Sequence, residues 1–301
     1  MNGSRRSLSF YPLAAVFALF VLFLYGPIVS MAVLSFQGPD GGLTFPMNRV
    51  STFWFGKLME GVGVVDIWGA FGRSLRLAIV VMVLTVVLSL ATGLAFRRGF
   101  RGSSSLFYLL VSSLIVPSIV VSLGIGLLFR FLDDAIRFVG RALSLASLGE
   151  GFTSSAGLFT SALGAHLTWT LPFGVLIMLA VFNRFEKSYE EAARDLGATG
   201  WQTFRHVVLP LIIPGLIGVA LFAFTLSFDE LARSSQAAGD LNTLPLELKG
   251  LTTTVTTPEI YALGTLTTAV SFLVIFAALG VIIGFRSRAA VRGPVETGVV
   301  Q

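Results

Sequence analysis

The sequence predicts an all-α, polytopic membrane protein, on three observations. Of its 301 residues 54% are apolar and 12% charged, roughly half the ~25% charged content of soluble domains. Six apolar stretches are each long enough to cross a bilayer, which takes about 20 residues. The short basic turns sit at the ends of these stretches, where membrane topology explains them without any nucleic-acid partner. The whole chain, 1–301, reads as one transmembrane domain. The lack of Cys excludes a disulfide scaffold, thiolate metal sites and thiol catalysis.

Residues 1–11 are polar, with Arg5 and Arg6. The first span, about 11–36, runs well past the ~7–15 apolar residues of a cleaved signal peptide, and Gly26-Pro27 predicts a kink. A Gly-rich outer loop follows, and its Phe53, Trp54 and Phe55 read as an interfacial aromatic belt. The second span is about 71–96, with Arg73 and Arg76 snorkelling from its outer end. Arg97, Arg98 and Arg101 make a basic turn. The third span, about 106–132, holds Pro117 in mid-helix, with Gly124 and Gly126 beyond it for close helix packing or a pore lining. Asp133 to Ser155 reads as an outer loop with a short amphipathic helix on the membrane surface.

The fourth span, about 158–182, is broken at Leu171-Pro172; the fifth is about 210–228 and the sixth about 260–285. Arg286, Arg288 and Arg292 begin a basic tail. Twelve of the 21 Lys and Arg residues fall on the side of both termini and of the loop at about 183–209. The positive-inside rule therefore places that side in the cytoplasm.

The loop at 183–209 and its exit, Ser188 to Pro210, form a polar island between two spans. Ser188 with Glu191 three residues on is a capping-box pattern. Good helix formers run from Tyr189 to Leu196, and Gly197 ends them. Thr199 and Gly200 turn the chain into a second short helix near Trp201, and Pro210 opens the next span. Tyr189, Ala192, Ala193 and Leu196 share one helix face, which either packs on the underside of the bundle or docks a partner.

Glu191-Ala192-Ala193, three residues, Gly197, nine residues and Val207-Val208-Leu209-Pro210 resemble the EAA loop of ABC-importer permeases, with Val207 in place of Ile. The resemblance implies a type I, MetI-like permease fold of six spans. It also implies a coupling helix that inserts into a groove of a cytoplasmic ATPase, using Tyr189, Glu190, Glu191, Ala192, Ala193, Leu196, Gly197, Gly200 and Trp201. ATP and Mg would then be bound by the ATPase, and no cofactor by this chain. Four looser stretches, Pro117 to Gly126, Ser227 to Glu230, Asn242 to Glu247 and Thr257 to Leu263, resemble the polyamine subgroup. That similarity implies a second permease, as a heterodimer, two ATPase subunits, an external solute-binding protein, and spermidine or putrescine as cargo. Arg233-Ser234-Ser235-Gln236 is more polar than that subgroup's pattern, which keeps aminophosphonates, opines and amino-acid-like solutes open as cargo.

Enzyme chemistry has no foothold. There is no G-x-x-x-x-G-K-S/T phosphate loop, no H-E-x-x-H and no G-x-S-x-G. The two histidines, His166 and His206, are far apart in sequence, which argues against zinc. For the substrate path the sequence offers Asp229 and Glu230 at the outer end of the fifth span, Trp169 and Pro117. The two acids suit a cation, unless headgroup water surrounds them or Arg233 neutralises one of them from i+3 or i+4. No inner span is expected to hold the buried acid or base that an ion-driven secondary transporter would use. A passive membrane scaffold is the third reading, and ATP-dependent flux separates the three.

Overall fold

In hydrocarbon every backbone N–H and C=O must be satisfied within the chain, and an α-helix does so segment by segment. The computed structural model describes residues 10–61, 66–254 and 257–291; Arg5, Arg6 and Arg292 lie outside them. Among these residues the helices are α1 (Phe10–Leu34), α2 (Phe53–Glu60), α3 (Ile67–Arg97), α4 (Ser103–Ser112), α5 (Ser118–Ala142), α6 (Ala146–Gly149) and α7 (Leu163–Asn183). They continue as α8 (Ser188–Asp195), α9 (Gly200–Thr203), α10 (Leu209–Phe228), α11 (Ser234–Ala237), α12 (Leu244–Thr254) and α13 (Glu259–Val291). Single π turns, Leu158–Ala162 and Phe204–Val208, precede α7 and α10.

Among the described residues five helices are long and apolar enough to cross a membrane: Phe10–Leu34, Ile67–Arg97, Leu158–Asn183, Gly200–Phe228 and Glu259–Ala277. They correspond to five of the six expected spans. The third expected span is instead divided into α4 and α5. Pro117 stands at the N-cap of α5 with ψ 133°, not in mid-helix. Its ring forbids a helical hydrogen bond and disfavours a helical Val116. Just before the break, Ser112 and Ser113 Oγ donate back to Leu109 O (2.7 Å) and Leu110 O (2.8 Å). Beyond Pro117 the helix runs on to Ala142, so much of the expected loop after Leu132 is helical. Asp133 is buried there and accepts from Ser154 Oγ (2.8 Å) and from the Ser155 N–H (2.7 Å).

The chain falls into two units, Met1–Asp66 with Leu248–Phe272, and Ile67–Glu247 with Leu273–Gln301. In the first, Trp54 is core and not belt. It is 4% exposed, Lys57 Nζ lies 5.3 Å from its ring centroid, and Lys57 pairs with Glu259 at 3.1 Å. Buried Gln37 accepts from the Asn48 N–H at 2.9 Å, and Tyr261 Oη donates to Leu43 O at 3.0 Å.

The second unit is built on α3, α7 and α10. Met178, Phe182, Val208, Ile212 and Val219 make its buried cluster. Small residues bring the three rods together: a Cβ on Gly174 would meet Ser89 Oγ at 2.2 Å, and one on Gly215 would meet Val181 at 2.5 Å, the close approach that small residues permit between membrane helices. Thr85 and Thr170 hydroxyls bond across the α3–α7 seam at 2.8 Å. Arg73 does not snorkel freely, since its Nε donates to Asn242 O at 2.8 Å.

Candidate functional site

At one end of the second unit stands an elbow made from the polar island. Its first helix does not begin with the expected capping box. Lys187 is the N-cap with helical φ −65° and ψ −24°, so Ser188 is already inside the first turn and its hydroxyl is not placed to cap. The end of α8 is as the sequence predicts. Gly197 has φ +84°, its N–H donates to Arg194 O (2.8 Å), and Ala198 N–H donates to Ala193 O (3.0 Å). These two bonds form a Schellman stop, which needs a left-handed residue at Gly197.

The capping box of the elbow lies one turn further on. Thr199 N–H donates to Gln202 Oε1 at 2.8 Å, and Gln202 N–H donates to Thr199 Oγ1 at 3.4 Å. Sequence reading passed over Thr199-x-x-Gln202, although it has the same spacing as Ser188-x-x-Glu191.

From α9 the helix does not restart at the membrane. Gly200–Phe228 is one continuous 29-residue rod, about 43 Å long at 1.5 Å per residue. The π turn carries it past Pro210: Leu209 N–H reaches Phe204 O, five residues back. This wider turn occurs where a helical Pro210 would otherwise press on a carbonyl four residues earlier.

The elbow has two faces. Tyr189, Leu196 and Trp201 are 51%, 90% and 67% exposed, respectively. Together with Ala192 they form an outward ridge, and Glu191, also exposed, lies on the side of α8 that carries Lys187 and Arg194. Glu190 turns the other way and pairs with Arg97 at 2.8 Å, its side chain 16% exposed. The Arg97 guanidinium also lies 5.0 Å from the ring centroids of both Phe182 and Phe185. Thus the ends of α3 and α7 hold α8 through one side chain that the sequence had marked only as a topology charge.

At the opposite end of the rod the path candidates converge on Arg233. Its side chain is fully buried, with Cζ 4.5 Å from the Trp169 ring centroid. Nη1 donates to Ser118 Oγ at 2.7 Å, and Nε donates to Thr168 Oγ1 at 3.4 Å. Ser118 adjoins Pro117 at the start of α5. Glu230 pairs with Nη1 at 3.6 Å and accepts from the Arg233 N–H at 3.0 Å. Of the two outer acids, then, Glu230 is neutralised by Arg233 and Asp229 is not.

Asp229 caps α10 just past the last residue of the span. Desolvation there, reinforced by the neighbouring Glu230 carboxylate, raises its pKa above the ordinary value.

His166 completes this outer clamp, and the expectation that no inner span holds a buried base is corrected by it. It sits in α7, 1% exposed, with Nδ1 2.8 Å from Ser227 Oγ and Nε2 2.9 Å from Ser234 Oγ. Serine hydroxyls donate or accept, so a neutral ring satisfies both in either tautomer. Ser122 Oγ adds a bond to Arg233 O at 2.8 Å. The signal was present in the sequence: an imidazole inside an apolar span must find polar partners.

Apolar rods long enough to cross a membrane, an exposed ridge at one end and a buried polar clamp at the other fit a membrane transport permease. Residues 86–292 match the family described as binding-protein-dependent transport system inner membrane component, and the chain belongs to it as a permease subunit of an ABC importer. The chain is 31% identical over 247 residues to the putrescine transport system permease protein PotI of Escherichia coli (strain K12), covering 81% of each protein. It is 27% identical over 258 residues to the spermidine/putrescine transport system permease protein PotC of the same organism, covering 85% of this chain and 88% of that one. Among solved structures, a bacterial ABC transporter that imports the acidic polysaccharide alginate aligns with TM-score 0.60 at 14% identity, over 91% of this chain and 94% of that one. The methionine ABC transporter MetNI aligns with TM-score 0.51 at 19% identity, over 76% and 98%. These two likenesses show the fold. The protein is a multi-pass inner-membrane transport subunit.

Proposed function

We propose that this permease forms half of a translocation path for a small cation of the putrescine or spermidine class. Its elbow is the joint through which a cytoplasmic ATPase, carrying ATP and Mg, drives the path. The complex in this reading holds a second permease, two ATPase copies and an external solute-binding protein, and the elbow and both termini face the cytoplasm. The observation that carries the reading is the continuous rod Gly200–Phe228. One end of it carries Trp201 and joins α8 across the Gly197 turn, and the other ends beside Asp229. Displacement of the ridge is therefore passed through the Gly197 turn into one helix, which carries it past the π turn and Pro214 to the clamp. Moving a two-state equilibrium from 1:99 to 99:1 takes about 5.5 kcal/mol of differential binding, which a stiff lever delivers and a loose loop dissipates. Docking uses Tyr189, Glu191, Ala192, Ala193, Leu196 and Trp201, with Gly197 and Gly200 setting the turns and Glu190 bracing the elbow from inside. The path runs past Asp229, Trp169 and Pro117, with Glu230 held by Arg233.

The names of the relatives support a polyamine cargo. One observation favours a second reading: Arg233 cancels the charge of Glu230, which leaves one outer carboxylate for the cargo and suits a solute with a single amine, such as an amino-acid-like compound. Vesicles reconstituted with the complete importer test both readings. ATP-dependent uptake of labelled putrescine, outcompeting labelled amino acids, is the expected result. Gradient-driven uptake with no ATPase present would sink the importer mechanism, and preference for a monoamine would move the cargo to the second class.

A further inference from the structure

Beneath α8 lies a cavity of about 600 Å³, separate from both the docking ridge and the outer clamp. Its walls are of two kinds. Leu94, Phe204 and Val208 present apolar surface, and Arg98, Lys187 and Arg194 present cationic ends. Glu190, the acid in the lining, is already held by Arg97 at 2.8 Å, with Arg194 3.8 Å away. The lining therefore carries a net positive charge. The side chains of Arg98 and Lys187 make no ion pair or hydrogen bond among the described residues.

Helical geometry separates this face from the ridge. At about 100° per residue, Lys187, Glu190 and Arg194 fall on one side of α8, and Tyr189, Ala192, Ala193 and Leu196 on the other. A protein seated on the ridge therefore does not fill the cavity. Arg97 closes the 31-residue helix α3 and Arg98 follows it, so the cavity lies at the end of a span, where hydrocarbon gives way to headgroups. A phosphate entering it meets three cations, and an acyl chain leaving it follows the apolar wall. Basic pockets beside span ends hold anionic headgroups in this way.

We propose that this cavity binds one anionic phospholipid, with its phosphate among Arg98, Lys187 and Arg194, so that the lipid ties the end of α3 to α8. The proposal requires only that α3 spans the membrane; it does not rest on the cargo or on the ATPase.

The test is native mass spectrometry of the full chain in detergent, titrated with dioleoylphosphatidylglycerol or dioleoylphosphatidylcholine. Phosphatidylglycerol is expected to bind as one tight adduct, at least about tenfold tighter than phosphatidylcholine, as a charge-selective site requires. R98Q/K187Q is expected to lose that preference while keeping weak adducts of both lipids. R194Q serves as the second variant should the double one fail to fold. Equal binding of the two lipids, or an unchanged preference in both variants, overturns the site. Displacement of phosphatidylglycerol by excess inorganic phosphate assigns the pocket to a free anion and overturns the lipid. Loss of the adduct when the ATPase is added assigns it to protein and does the same. No transport is measured, so failure here is distinguishable from failure of the importer reading.

Discussion

The two ends of the Gly200–Phe228 rod are built in opposite ways. The turns of the elbow are held by bonds between near neighbours in sequence, with one long-range brace from Arg97 to Glu190, and its ridge is bare. The outer clamp is held by bonds that span 61 to 115 residues of chain and leaves Arg233 and His166 fully covered. Caps and turns made by short-range chemistry let the elbow keep its shape while exposed. An end meant to keep several helices in register is made of long-range polar bonds, which are strong only because water is excluded. Damage to the two ends should therefore read out differently, as lost coupling at the elbow and lost stability at the clamp.

The largest expected effect is at the clamp. Arg233→Met leaves the Glu230 carboxylate, 11% exposed, without its partner. Removing one member of a buried pair costs about 3–5 kcal/mol. Thermal unfolding in detergent measures the loss, and the double variant R233M/E230Q should recover most of it, because no charge is left unpaired. If R233M proves no less stable than an elbow variant, the contrast between the two ends fails.

Next is Gly197→Val at the elbow. A Cβ there meets nothing within 4 Å, so no clash is introduced. The cost is the left-handed backbone, about 1–2 kcal/mol for a residue with a side chain. Uptake should fall by about tenfold or more at matched expression, because about 1.4 kcal/mol lost at a coupling contact corresponds to a factor of ten. Glu191→Lys should match the uptake loss with little change in stability. Normal transport by either variant would refute the lever.

Thr199→Ala is a smaller perturbation of the same joint. It removes the cap on the first turn of the rod, worth about 1 kcal/mol, and should show as faster amide exchange over residues 200–203 with the clamp unchanged. Ser188→Ala, at the box the sequence favoured, should change nothing measurable.

These two caps illustrate what the sequence could and could not reveal. Both follow the same four-residue pattern, and the backbone of Lys187 alone decides that Ser188 lies inside the helix. The Gly197 stop and the ridge were legible because they depend on residues within one or two turns. The division of the third span is visible in Pro117, which the sequence places in mid-helix; the back-bonding of Ser112 and Ser113 that accompanies the break shows only in the fold. For the clamp, i+3 spacing pointed from Arg233 to Glu230. Nothing local pointed to Ser118, Thr168 or His166, whose meeting depends on how α5, α7 and α10 pack. Arg97 was misjudged for the same reason: at a span end it looked like a topology charge, and its bracing role exists only once Phe182, Phe185 and Glu190 surround it.

The smallest expected effect discriminates best, since it concerns the one outer acid that Arg233 leaves unpaired. The pKa of Asp229 is raised in the fold. Folding therefore favours its neutral form more than the unfolded chain does, and its contribution to stability is present below the unfolded pKa and lost as pH rises through the folded one. Asp229→Asn should thus be at least as stable as the wild type at neutral pH. If the ionised carboxylate attracts a cationic cargo, the same substitution should lower putrescine uptake a few-fold at neutral pH. It should also abolish a decline in wild-type uptake that begins, on acidification, above the ordinary range for aspartate of about 3.9. Stability and transport then move in opposite directions, which a purely structural residue does not produce. A variant that keeps both its uptake and its pH profile would remove Asp229 from the path and favour the monoamine or uncharged cargo that the Arg233–Glu230 pair already suggests.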